Sequence, residues 1–138
     1  MIRSERNWPV ILMAMTLLVI QPVECSSGSI ISVEWPDSQV IGSDTLIPWV
    51  IVRNDGALPA SFFIRFSIRD PNNKWISGAC STTTTIKPGK EEPMWPNGVQ
   101  ITQSMPRGEY TGRVTLFSDY CSGYVLDEVK KPNAFEVF

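Results

Sequence analysis

The chain has 138 residues, 43% of them hydrophobic and 19% charged, so it is long enough for one folded domain and too apolar to be disordered. Twelve basic against fourteen acidic residues leave a formal net charge of −2, which argues against a nucleic-acid partner held by phosphate charge. There is no histidine, which removes the commonest general base and the commonest metal ligand together and weighs against an enzyme.

Arg3 and Arg6 give the N-terminus a positive start, and the apolar run Val10–Ile20 follows. Gln21-Pro22 closes the run, and the small residues Cys25-Ser26-Ser27-Gly28 come next. This is the three-part layout of a secretory signal peptide, and the run is short of the roughly 20 residues that a membrane-spanning helix needs. The expected division is residues 1–25 as signal peptide and 26–138 as one mature domain, secreted or cell-surface associated, with no transmembrane span after processing. A cut after Ser27 is an alternative. A lipid anchor on Cys25 is the rival, but Glu24 stands where that processing wants a small residue.

The rest of the chain reads as short strands separated by Pro, Gly, Asn and Asp, with no apolar period of 3.6 residues. Ile30–Trp35 is the first expected strand, stopped by Pro36-Asp37. Thr45–Asn54 is apolar on both faces, as a central strand should be, with Pro48 at a bulge or near its start. Trp49 in this strand is read as core. Asn54-Asp55-Gly56 supplies turn chemistry. In Ser61–Asp70, Phe62, Ile64, Phe66 and Ile68 alternate with Phe63, Arg65, Ser67 and Arg69, the mark of a half-buried antiparallel strand. Weaker strands follow at Lys74–Ser77, Ser81–Lys87 and Val99–Gln103. Then come Tyr110–Ser118 and Ala134–Phe138, with Cys121–Asn133 expected as a long connection between them. About seven or eight such strands in one domain indicate an all-β, antiparallel two-sheet sandwich.

Once Cys25 leaves with the signal, Cys80 and Cys121 remain. An even count in an exported chain reads as a disulfide, which would close a loop of about 40 residues and stabilise the fold by roughly 4 kcal/mol. Two buried free thiols are the alternative.

Pro106-Arg-Gly-Glu-Tyr110, running into Thr111–Leu116, resembles the approach to a late strand of immunoglobulin-like sandwiches. There a tyrosine hydroxyl bonds back to the upstream backbone, and Tyr110 is expected to be structural in this way. Val50-Ile-Val-Arg-Asn-Asp-Gly56 with Phe62–Phe66, together with the turn Ile86-Lys-Pro-Gly89, resembles CARDB-like modules of prokaryotic cell-surface proteins. That resemblance implies adhesion, spacing or ligand presentation, and it carries no catalytic residues.

Asp70-Pro-Asn-Asn-Lys-Trp75 begins like a calcium loop, but Lys74 occupies the next ligand position, so a strand-ending turn is expected and no metal or cofactor. The paired acids Glu91-Glu92 and Asp127-Glu128 diverge along an extended chain and are read as surface, not as a catalytic pair. Trp35 and Trp75 lie near expected strand ends and are left open between core and surface. The candidates for ligand contact are Trp95 with Met94, in the proline-bracketed stretch Lys90–Gly98, and Tyr120 and Tyr124 in the long connection. Trp95 could stack on a sugar or anchor a protein partner; the competing reading has it fold back to cap one end of the sandwich.

The expected function is a non-enzymatic binding or structural module at the cell surface, with a protein or carbohydrate partner and self-association possible. The alternatives are a filament subunit that donates Ser26–Trp35 to a neighbour's sheet, and an immunoglobulin-fold protease inhibitor.

Overall fold

Period-two alternation decides the layout. Phe62, Ile64, Phe66 and Ile68 are fully buried, while Phe63, Arg65 and Arg69 between them are only half-buried. The computed structural model describes residues 26–37, 39–40 and 43–138; the expected signal peptide with its cleavage site, and Cys25, lie outside the described residues. Among these are eleven strands: β1 (Gly28–Glu34), β2 (Gln39–Val40), β3 (Thr45–Leu46), β4 (Trp49–Asn54), β5 (Phe63–Arg69), β6 (Trp75–Ser77), β7 (Ser81–Thr82), β8 (Glu91–Met94), β9 (Val99–Gln100), β10 (Gly108–Phe117) and β11 (Val125–Val137). The described residues form no helix, so none is long and apolar enough to cross a membrane.

The strands make a β-sandwich. One sheet has the order β1-β4-β8; the larger has the order β2-β11-β10-β5-β6, with β7 also on β5, and β3 pairs with β9 separately. All pairings are antiparallel except the short parallel contact of β2 with β11. Between the sheets, Val50 and Val52 of β4 meet Ile64, Phe66 and Ile68 of β5 and Val114 and Leu116 of β10 in one apolar cluster. Burying a Val, Leu, Ile or Phe side chain stabilises by about 1.5–3 kcal/mol, so this layer is the main favourable term.

Three expectations change in physical detail. The expected strand Thr45–Asn54 is two strands, because Pro48 has no N–H for the ladder and β4 restarts at Trp49 just after it. Lys90–Gly98 is not all loop: Glu91–Met94 pairs with β4 as an edge strand, where Pro93 and two glutamates are tolerated and discourage further pairing. Cys121–Asn133 is not a long connection, since β11 already pairs with β10 from Val125. Pro132 and Asn133 sit where the register jumps from Tyr110↔Phe135 to Gly112↔Lys131, and Asn133 takes φ 52° in this bulge.

Three devices fix the connections. Cys80 and Cys121 are bonded, with Cα atoms 5.7 Å apart. The ring of Tyr110 is fully buried and stacks on Phe135 at 5.3 Å, and its hydroxyl donates to the Pro106 carbonyl at 2.6 Å. In the β5–β6 turn, Asp70 Oδ1 accepts from the N–H groups of Asn72 and Lys74 at 2.9 and 2.8 Å, and Asn73 takes φ 65°.

Candidate functional site

The site grows from the end of the smaller sheet. Glu34, the last residue of β1, pairs with Trp49, the first of β4. Trp35 follows at once and must leave the strand, because Pro36 cannot extend the ladder. Its ring turns onto the larger sheet at Gly112, where an added Cβ would lie 2.6 Å from Trp35 Cζ3. Only a glycine on β10 lets the indole settle there. Between Trp35 and Trp49, with Ile47 beside them, runs an open groove of about 520 Å³ rimmed by the exposed acids Glu34, Asp37 and Asp44.

Trp49 is half-buried, so the expectation that it is core does not describe its position: it forms one wall of the groove. Its Nε1 is shielded without an acceptor, which leaves the indole held by packing alone. Trp95 extends this wall. Val50 faces Met94 across β4 and β8, so the next residue along β8 falls beside Trp49. The two ring centroids are 6.2 Å apart, tilted by 33°, and Trp95 is 65% exposed. Asn97 pins the loop behind it: its N–H donates to Ser81 Oγ at 2.7 Å and its side chain to the Cys80 carbonyl at 3.3 Å. Two indoles in a row, one held and one open, make an apolar ledge along an acid-rimmed trough. Such a ledge can stack on the C–H face of a sugar while the carboxylates accept its hydroxyls.

The other residues singled out from the sequence lie elsewhere. Met94 is half-buried against the core and supports β8. Tyr120 leans on Phe63 with centroids 5.9 Å apart, and Tyr124 is 82% exposed. Both belong to the tight 118–124 turn, closed by Gly123 N–H to the Tyr120 carbonyl and Ser118 N–H to the Tyr124 carbonyl. No ring contact among the described residues joins them to Trp95. Asp127 of the second acidic pair accepts the Ile30 N–H at 2.8 Å, so it ties the sheets together. The groove itself was not visible in the sequence, because its walls come from 34–37 and 44–49, with Trp95 set against Trp49, and only folding brings these together. The signal was four tryptophans after residue 25, of which Trp35 and Trp49 line the groove and Trp95 stands against Trp49.

No protein-family model matches the chain, and no curated protein matches it. Solved structures do share its fold. β-Glucosidase 3B from Thermotoga neapolitana, in complex with glucose, matches at TM-score 0.55 and 17% identity, over 80% of this chain and 16% of that one. A Paenibacillus cycloisomaltooligosaccharide glucanotransferase complexed with cycloisomaltoheptaose matches at TM-score 0.55 and 15% identity, over 81% and 14%. Bacteroides uniformis β-glucuronidase matches at 0.53 and 16%, over 80% and 13%. This chain thus spans about a sixth or less of those proteins, and the likeness is one of fold.

Proposed function

We propose that this chain is an exported, non-catalytic binding module that takes a neutral carbohydrate along the groove between Trp35 and Trp49. The observation that carries the reading is the open ring of Trp95 set against Trp49 beside that groove. A neutral sugar fits better than a charged one, because Glu34 and Asp37 repel anions and their oxygens accept hydroxyl protons. These carboxylates are exposed, whereas a glycosidic general acid needs an apolar setting, which favours binding over turnover. Solved structures with this fold are parts of β-glucosidases and a glucanotransferase, which supports a setting in carbohydrate handling. Strand donation is disfavoured, since Gly28–Glu34 already pairs with β4 of its own chain.

The test is titration of neutral gluco-oligosaccharides by tryptophan fluorescence and calorimetry, with Trp95→Ala beside the parent. Saturable binding, weakened roughly tenfold or more by Trp95→Ala at unchanged melting temperature, is the expected result. Binding that ignores the substitution, no binding at all, or glycosidic turnover would overturn the reading.

A further inference from the structure

We propose that the outer face of the larger sheet is a second, separate binding surface, for an acidic polysaccharide whose carboxylates meet Arg65, Arg69, Arg113 and Lys130. The register puts these cations in adjoining rows. Arg65 faces Thr115, Ser67 faces Arg113, and Arg69 faces Thr111 across β5 and β10. Lys130 faces Arg113 across β10 and β11, and Trp75 faces Arg69 across β5 and β6. Trp75 is the hub: Arg113 Cζ lies 3.8 Å from its ring centroid, Arg69 Cζ 5.3 Å and Lys130 Nζ 5.7 Å.

The small residues under this layer are covered. Ser67 is 1% exposed, Thr111 8% and Thr115 6%, although all three point away from the core. Long basic stems and the indole therefore lie flat over them. The Nε atoms of Arg65 and Arg113 are shielded without acceptors, so packing holds these guanidinium groups and no carboxylate does. Among the described residues the ion pair is Arg53–Asp55, on the other sheet. The acids on this face, Glu128 at one end and the facing Glu109 and Glu136 at the other, form no ion pair with the four cations. Three cations crowded on one ring repel one another, and an incoming row of anions relieves that repulsion.

The occupant follows from shape and charge. Guanidinium forks fixed on a flat sheet suit carboxylates, which they bind bidentately. A nucleic acid needs a free aromatic face for its bases, and Arg113 already lies on Trp75. A membrane anchor needs apolar groups that protrude from the basic patch, and Trp75 is half-buried. An extended, polar, regularly charged chain matches rows of cations on a sheet. The acid-rimmed groove at Trp49 would reject that chain, so the two surfaces select opposite charge classes.

The test is native affinity electrophoresis of the full chain through gels containing polygalacturonate, with dextran as the neutral control. Retardation by polygalacturonate that fades with added salt is expected. The exposed Lys130→Gln and the pair Arg69→Gln/Arg113→Gln should each weaken it, by roughly threefold and roughly tenfold or more. Trp95→Ala should leave it intact, which separates this surface from the groove. Lys130→Gln guards against misfolding, since its side chain is exposed. No retardation, or retardation equal in parent and variants, would overturn the proposal. So would equal or stronger capture by phosphatidylglycerol vesicles or by polyglutamate, which would assign the face to a membrane or an acidic peptide.

Discussion

The side-chain amide of Asn54 donates to the carbonyl of Ile86 at 2.8 Å, and it is fully buried where it does so. The same nitrogen donates to the Leu58 carbonyl at 2.8 Å, while Oδ1 accepts the Gly56 N–H at 2.8 Å. The Asn54 backbone adds bonds from Gly89 and to Lys90, with Gly89 at φ 75° shaping that turn. Two turns far apart in sequence, after β4 and before β8, are thus closed by one amide.

Asn54→Ala should therefore be severe. It removes three hydrogen bonds of a fully buried side chain; the Ile86 carbonyl keeps the Ala60 N–H, while the Leu58 carbonyl and the Gly56 N–H lose this partner, so a loss of about 2–4 kcal/mol is expected. Asn54→Asp should be no milder, because a carboxylate cannot donate to either carbonyl. Urea unfolding decides it; a loss under about 1 kcal/mol for both variants would show that the turns hold without the amide.

Much of this fold was legible because period-two alternation survives wherever one face is buried, as in β5 and in Tyr110, Val114 and Leu116 of β10. The missed strands lack that signal. β8 reads Glu-Glu-Pro-Met, and its place comes from pairing with β4, not from its own pattern. β11 carries Lys130-Lys131-Pro132-Asn133 in its middle and continues past it only through a bulge. The Asn54 turn could be read as turn chemistry, but nothing local says that its amide crosses to Ile86. The Trp75 cation layer was hidden likewise, since its members come from β5, β6, β10 and β11.

Reduction should loosen one end of the sandwich. The Cys80–Cys121 bond closes a separation of 41 residues and ties the β6–β7 connection to the turn bearing Tyr120 and Tyr124. The chain-entropy estimate for such a loop is about 4 kcal/mol, so Cys80→Ser/Cys121→Ser should melt well below the parent. The parent in a strong thiol reductant should match it. Equal melting temperatures with and without reductant would show that the bond constrains little.

Gly112→Ala links packing to the groove. Its Cβ would meet Trp35 Cζ3 at 2.6 Å and Cε3 at 2.9 Å, so the indole must shift. Overpacking of this kind costs about 1–3 kcal/mol. Because Trp35 is also a groove wall, sugar affinity should fall together with stability, while the Trp75 layer, on the opposite face of the same sheet, should keep its polygalacturonate retention. Stability lost with sugar affinity untouched would remove Trp35 from the site.

The last prediction concerns alkaline pH. Burial first, and the charge of Asp70 second, raise the Tyr110 hydroxyl above its ordinary value of 10.0. In the unfolded chain the phenol ionises near pH 10, whereas in the fold it keeps its proton to higher pH. Above that point the folded state binds more protons than the unfolded one, so stability falls as pH rises between the two values. Below the unfolded value the contribution is complete. Tyr110→Phe cannot ionise and should lack this alkaline loss. At neutral pH it should be the weaker protein by about 1–3 kcal/mol, because the Pro106 carbonyl loses its 2.6 Å partner. Urea midpoints for both proteins at pH 7 and at about pH 10.5 give the comparison. The gap between them should narrow at the higher pH; a gap that stays constant would mean that Tyr110 does not ionise differently in the two states.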